Sequence, residues 1–215
     1  MGTSGAGAFA SRGRARDSAW EQGASVERIV GAWLDRIPGI EVLHDRRLVA
    51  RRSRMKGETQ TVGAFGANPT RHAPDRAPRV GATLRIDHLA ISPGGVFVVD
   101  AKLSGWRLGP VELRHSTRPR PAERSERAEE EHEKLLARIA TQARAVARLL
   151  ADAPVPVAPA LCLVDARGAE VLRSVVLDGV WVGTPPALPE LLGHAGLLDG
   201  EAMRTVAARL DARLA

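Results

Sequence analysis

The chain has 215 residues, of which 44% are hydrophobic and 26% are charged. This length supports one domain with a sizeable core, and this composition excludes a chain that is disordered throughout. The formal charge of +6 comes mostly from arginine, which suits a polyanionic partner such as nucleic acid, but the charge alone favours an arginine-rich coding bias. The absence of tyrosine and the three phenylalanines argue against a base-stacking platform for single strands.

Cysteine usage and hydropathy indicate the expected location. The single cysteine, Cys162, excludes an internal disulfide and fits a reducing compartment. No apolar run approaches the roughly 20 residues that cross a bilayer, and the N-terminus lacks the apolar core of a secretion signal. We therefore expect a cytoplasmic protein without a membrane partner, whose oligomeric state the sequence leaves open.

The first part of the chain predicts a tail and then a helix. Residues 1–19 are small, polar and basic, which is typical of a disordered tail. From Ser25 onward, apolar residues recur at intervals of three and four, which predicts an amphipathic helix that ends at Pro38-Gly39. Ser25 is the expected N-cap, and Glu27 then lies in the first turn.

A strand and a long basic segment follow. Residues 40–43 predict a short strand, with a continuation near Leu48. Residues 50–82 are rich in arginine, proline and glycine and show no sustained period. We expect a long basic loop or insertion here, and a loop of this length is either functional or flexible.

The remaining elements complete an α/β pattern. A hairpin at residues 85–102 is followed by "WRLGPVEL", which we expect to be a third strand of the same meander. A long amphipathic helix then ends before Pro154, and the segments "PVAPALCLVDA", "GVWVGT", "PALPELLG" and "GEAMRTVAARLDARL" predict two strands and two closing helices. This order predicts one α/β domain over residues 20–215, with a small mixed central sheet flanked by helices.

The hairpin, "RIDHLAISPGGVFVVDAK", carries an unusual group of charges. A turn at Pro93-Gly94 pairs residues whose numbers sum to 187, so Asp87 lies opposite Asp100 and Lys102 lies opposite Arg85. The four charges then share one face at the open end, and a slip by one residue would scatter them over both faces. The opposite face carries Ile86, His88, Ala90, Phe97, Val99 and Ala101.

Two facing aspartates are costly unless a cation neutralises them. Their Cβ atoms would lie about 5 Å apart, and the carboxylates would repel each other. A hard divalent cation such as Mg²⁺ removes the repulsion and, beside an ammonium group, activates a water for attack on a phosphodiester. Arg85 and Lys102 would also neutralise Asp87 and Asp100 in a purely structural ion-pair network. The spacing alone leaves both interpretations open.

These residues resemble the D…(D/E)-x-K motif of the restriction-endonuclease-like, or PD-(D/E)XK, nucleases. More narrowly, "IDHLAISPGGVFVVDAKLSG" resembles the central signature of the nuclease-related domain, NERD. An early helix with Glu27 and a later helix with Gln142 fit the flanking elements of that family, so the resemblance covers most of residues 20–185. Asp100 stands where the family usually has glutamate, and the segment 50–82 is longer than usual.

The resemblance implies a restriction-endonuclease-like core and a catalytic site that uses Mg²⁺ or Mn²⁺. Asp87, Asp100 and the backbone carbonyl of Ala101 would be the metal ligands. Lys102 would position or deprotonate the attacking water and stabilise the transition state.

Two further residues receive roles by the same resemblance. Glu27 would hold a metal-bound water or a second ion, and Gln142 would help to orient the site or the phosphate. His88 belongs to the signature, but it faces away from Asp87 in the predicted register. We therefore expect His88 to have a packing or hydrogen-bonding role.

The expected function is hydrolysis of phosphodiester bonds in nucleic acid, with DNA as the expected substrate. Two alternatives use the same fold: a nucleic-acid-binding module without turnover, and a structural module within a larger assembly. The histidines have no zinc-like spacing with Cys162, and the sequence contains no Walker loop.

Overall fold

The computed structural model describes the backbone of residues 23–49, 83–104, 106–108, 113–115, 122–165 and 174–215. The predicted tail at residues 1–19 and the basic segment at residues 50–82 lie outside these ranges. None of the helices within the described ranges is long and apolar enough to span a membrane.

The described chain contains helices, strands and one 3-10 turn. In chain order they are α1 (helical residues 23–34), β1 (Glu41–Val49), β2 (Thr83–Ser92), β3 (Gly95–Ser104), β4 (Trp106–Leu108), β5 (Leu113–His115), α2 (Ala122–Leu149), β6 (Val157–Asp165), β7 (Val175–Leu177), β8 (Val180–Gly183), a 3-10 turn (Pro185–Ala187), α3 (Leu188–Leu192) and α4 (Gly200–Arg213).

Six of these strands form a mixed sheet in the order β1-β2-β3-β6-β8-β7. The first three strands are antiparallel neighbours, β6 and β8 continue the sheet in parallel, and β7 is antiparallel to β8. Parallel pairing of β3 with β6 requires a crossover connection, and the chain between these strands contains α2.

Helices cover both faces because the central strands are apolar on both sides. On one face, Phe97 of β3 belongs to the same buried cluster as Val30 of α1, together with residues of α3. On the other face, Val98 of β3 shares a cluster with Val146 of α2 and Leu210 of α4. The predicted α/β architecture, a mixed sheet between helices that is consistent with a restriction-endonuclease-like core, is therefore confirmed.

The hairpin of β2 and β3 has the predicted register. Leu89 pairs with Val98, and all the paired residue numbers sum to 187. The ladder ends at the pair that precedes Asp87 and Asp100, so the two strands separate where the charged residues begin.

The predicted face of Ile86 is wrong. Ile86 packs in the cluster beneath α2 and α4 instead of sharing the α1 side with His88. Asp45 of β1, which lies opposite Asp87 in the register of β1 and β2, has a positive φ of 47°. The regular alternation of side chains is therefore interrupted at this point of the sheet, and a prediction based on strict alternation fails there.

Two other predictions need correction. Residues 23–34 are helical, so Ser25 lies within α1 and is not its N-cap. The segment "WRLGPVEL" does not extend the meander, because β4 pairs with β5 in a separate two-stranded sheet. The edge of β3 pairs with β6 from Val96 to Ser104, and this long apolar partner satisfies many more backbone groups than a three-residue strand would.

We expect Gly95→Ala to lower the free energy of unfolding by about 1–3 kcal/mol. Gly95 has a φ of 132°, and a Cβ there would lie 2.5 Å from the carbonyl oxygen of Pro156. Urea denaturation measures the loss. The control is Gly94→Ala, since its Cβ would meet no heavy atom closer than 3.6 Å. Equal losses in the two variants would contradict this account of the turn.

Candidate functional site

The site lies where β2 and β3 separate, at the end of the hairpin opposite its turn. Asp87 of β2 and Asp100 of β3 are buried, with 7% and 3% of their surfaces exposed. Beyond the β2 ladder, β3 remains paired with β6, where Asp100 lies opposite Leu161 and Lys102 opposite Leu163. β6 therefore supports the backbone that carries Asp100 and Lys102 after β2 has separated.

A side-chain hydrogen bond bridges the separated strands. The backbone N–H of Ala101 donates to Oδ2 of Asp87 at 3.1 Å. A carboxylate that accepts such a bond is held in one orientation, and the bond is stronger than one between neutral groups. The Asp87 carboxylate is thereby fixed against β3.

The ammonium group of Lys102 contacts each of the three groups predicted to hold a metal ion. Its Nζ lies 2.8 Å from Oδ2 of Asp100, 3.5 Å from Oδ2 of Asp87 and 2.9 Å from the carbonyl oxygen of Ala101. Three oxygen atoms, two from carboxylates and one from a backbone carbonyl, therefore converge on one cation, the Lys102 ammonium.

The donor set of the site mixes side chains with backbone. Across the described parts of the chain, no group of three or more His, Cys, Asp or Glu side chains is arranged to hold a metal ion. The oxygens around Lys102 come from two carboxylates and one backbone carbonyl. Since Mg²⁺ is commonly bound through one or two carboxylates plus waters and phosphate oxygens, this smaller set fits that ion.

A second cation, which the sequence analysis missed, also contacts Asp100. Nη2 of Arg138, in α2, donates to Oδ1 at 2.9 Å and to Oδ2 at 3.1 Å. Burial and, to a smaller degree, the Asp87 carboxylate raise the pKa of Asp100, while Lys102 and Arg138 oppose the rise. The two cations thus offset part of the cost of burying an ionised carboxylate.

Glu27 and Arg85 form the outer part of the site. Nη2 of Arg85 lies 2.5 Å from Oε2 of Glu27, and Nε lies 3.1 Å from Oδ1 of Asp45. Burial, followed by the charge of Asp87, raises the pKa of Glu27, while Arg85 and Lys102 oppose the rise. Glu27 is therefore within electrostatic range of Asp87 and Lys102.

The structural ion-pair network is only partly as the sequence predicted it. Lys102 lies between Asp87 and Asp100, which matches that interpretation. Arg85 instead pairs with Glu27 and Asp45, and Arg138 from α2 supplies the second positive charge near Asp100.

Gln142 lies on α2 beneath β2. Its Nε2 donates to the carbonyl oxygen of Arg85 at 2.6 Å. The side chain is buried, and its Oε1 has no hydrogen-bond partner among the described residues. An unpaired buried amide oxygen costs about 1–3 kcal/mol, so this atom favours a bound water or ligand. Gln142 is four residues after Arg138 and on the same helix face, and this spacing could have identified the arginine from sequence.

His88 lies near Gly31 of α1 and takes part in a chain of hydrogen bonds. Its Nδ1 lies 2.8 Å from Nδ1 of His44, whose Nε2 lies 3.0 Å from Oδ1 of Asp35. Burial, followed by the nearby His44, lowers the pKa of His88 to about 4. His88 is therefore neutral at pH 7, and the hydrogen-bonding role predicted for it is confirmed.

A family model described as the nuclease-related domain, NERD, matches residues 22–164. The matched range contains the described part of α1, β1, the hairpin of β2 and β3, and α2. These elements carry all of the charged residues of the site and Gln142. No curated protein and no solved structure gives a significant match to the chain.

We expect His88 to make the folded state sensitive to acid. The His88 pKa falls from 6.5 to about 4 on folding, so its contribution to stability is complete above pH 6.5 and is lost as the pH falls through 4. The full contribution is about 3 kcal/mol.

Urea denaturation of the wild type and of His88→Gln between pH 7 and pH 4 tests this expectation. The raised pKa values of Glu27 and Asp100 have the opposite effect on stability, but both proteins share them. The difference between the two curves therefore reports on His88. Parallel curves would show that His88 does not titrate as expected.

Proposed function

The chain belongs to the nuclease-related domain family, and from this premise we propose that it is a nuclease that hydrolyses phosphodiester bonds with a bound Mg²⁺ or Mn²⁺. We propose DNA as the substrate. The observation that carries the proposal is the convergence of Asp87, Asp100 and the Ala101 carbonyl on a single cation. The net charge of +6 supports a polyanionic substrate.

Asp87, Asp100 and the carbonyl oxygen of Ala101 would hold the metal ion where the Lys102 ammonium now lies. When bound, the divalent cation supplies an activated water and stabilises negative charge on the phosphate. The Lys102 side chain is 35% exposed, so its ammonium has room to move outward while it stays beside the carboxylates.

The reaction proposed is attack of a water oxygen on phosphorus. A bond forms between that oxygen and phosphorus, and the bond from phosphorus to one ester oxygen breaks. The attacking water gives up one proton and the leaving oxygen takes up one, so the protons balance. Lys102 would orient the attacking water and offset the charge that develops on the phosphate. Glu27, whose pKa is raised, would hold a water at the outer edge of the site. Gln142 would accept a hydrogen bond from a water through Oε1.

We expect the purified protein to cleave plasmid, linear duplex or single-stranded DNA when Mg²⁺ or Mn²⁺ is added. Asp87→Asn and Lys102→Met should each lower the cleavage rate by about 10²-fold or more, because each removes a group that acts on charge in the transition state. The control is Lys134→Met, which removes an exposed ammonium paired with Glu130 on α2.

The assay is followed on gels with labelled DNA and with an RNA of the same sequence. If the protein cleaves the RNA faster than the DNA, RNA replaces DNA as the proposed substrate. A wild type that binds DNA without cleaving it would identify the binding module instead. Cleavage that persists at the full rate in the Asp87 and Lys102 variants would disprove the proposed site.

We expect Mn²⁺ to stabilise the folded wild type. A ligand that binds the folded state alone adds about 2.7 kcal/mol when its concentration is 100 times the Kd. For a chain of this size, that corresponds to a rise in Tm of about 5–10 °C, measured by circular dichroism. Asp100→Asn should lose most of the rise, whereas Asp211→Asn, which alters a carboxylate paired with Arg46, should keep it. A wild type without any rise would favour a structural module.

A further inference from the structure

We propose that Arg138 is a phosphate ligand that the metal ion releases. In this proposal, Arg138 pairs with Asp100 while the site lacks a divalent cation. It then turns to a phosphate of the nucleic acid when a cation takes the same carboxylate. The inference rests on the proposed function and assigns a substrate contact to a residue that has had no role in it so far.

The charges at the centre of the site are balanced without a metal ion. In the structure, the two carboxylates of Asp87 and Asp100 are balanced by Lys102 and Arg138. A divalent cation bound to the same oxygens would leave two surplus positive charges among these groups if both side chains stayed in place. The outer set of Glu27, Asp45 and Arg85 carries one net negative charge and would offset only one of them. Surplus charge is costly next to buried groups, so it requires either an anion or an outward movement of the side chains. A phosphodiester beside the site supplies such an anion.

The contact between Arg138 and Asp100 does not have the geometry of a strong arginine–carboxylate pair. Both contacts from Arg138 to Asp100 use the same nitrogen, Nη2. The strong bidentate pairing of arginine with a carboxylate uses two parallel N–H donors, and this contact therefore falls short of it. The planar guanidinium matches the geometry of a phosphate, so a better partner than Asp100 is chemically available in the substrate.

The Arg138 side chain is exposed, whereas the helix that carries it is packed against the sheet. The Arg138 side chain is 49% exposed, whereas Asp100 is almost fully buried. Leu136 and Ile139, on either side of Arg138 in α2, are buried against β6 and β8. The helix backbone is therefore held in place while the guanidinium faces solvent, where a nucleic acid would approach.

A purely structural role for Arg138 predicts a different outcome. If Arg138 only compensates the buried charge of Asp100, its loss should disorder that carboxylate and weaken metal binding. If Arg138 competes with the metal ion, as we propose, its loss should strengthen metal binding. The sign of the change in metal affinity therefore separates the two roles.

The first test is a Mn²⁺ titration of thermal stability in the wild type, Arg138→Gln and Arg144→Gln. Arg144 is the matched control, because it lies on the same helix and its guanidinium donates to Oγ1 of Thr141. The Mn²⁺ concentration at half-maximal stabilisation should fall several-fold in Arg138→Gln and stay unchanged in Arg144→Gln. An unchanged or higher concentration in Arg138→Gln would overturn the proposal, and this readout needs no cleavage.

The second test measures binding of a labelled, phosphorothioate-substituted DNA duplex by fluorescence anisotropy, with and without Mn²⁺. Without metal, Arg138→Gln should bind as the wild type does, since Asp100 already engages the guanidinium. With Mn²⁺, the variant should bind more weakly, and the slope of log affinity against log salt should be smaller by about 1, the value for one lost phosphate contact. An equal loss of DNA affinity with and without Mn²⁺ would show that the metal ion does not release Arg138 from Asp100.

The controls separate this inference from the function on which it rests. A wild type that gains neither Mn²⁺ stabilisation nor duplex binding would disprove the proposed function and the role of Arg138 together. A wild type that shows both, with Arg138→Gln indistinguishable from Arg144→Gln, would disprove the role of Arg138 alone.

Discussion

The site depends on one constraint, which is that two carboxylates buried at the end of a hairpin require positive charge beside them. Removing an ionised carboxylate from water costs several kcal/mol unless paired charges and hydrogen bonds compensate it. Asp87 receives the Ala101 N–H and the Lys102 ammonium, and Asp100 receives the same ammonium and the Arg138 guanidinium. The compensation is electrostatic, and in the proposed function a divalent cation would replace the ammonium group at the same oxygens.

The two neighbours of β3 in the sheet support different parts of this arrangement. β2 pairs with β3 near the turn and separates from it before the charged residues, which leaves room for the convergence on Lys102. β6 stays paired with β3 through Asp100, Ala101 and Lys102, so their backbone is held. Helices on opposite faces then deliver Glu27 from α1 and Arg138 from α2.

Several features were predictable because they depend on local chemistry. The hairpin register follows from the Pro93-Gly94 turn and from the alternation of apolar residues, both of which lie within a short stretch of chain. The face of Ile86 was predicted wrongly, because the sheet is irregular near Asp45 of β1, far away in sequence. The prediction placed β4 in the wrong sheet, because the sequence pattern of a strand does not indicate which strand it pairs with.

The sequence by itself determined which residues could form the site: the hairpin register places Asp87, Asp100 and Lys102 just beyond the end of the β2–β3 ladder, and the motif around them is recognisable without a structure. Only the tertiary structure decided how their charges are balanced. Arg138 is 38 residues from Asp100 and Arg85 is 58 residues from Glu27, so both pairings depend on how α1 and α2 pack against the sheet. Packing of this kind arises from long-range apolar contacts, and no short segment encodes it.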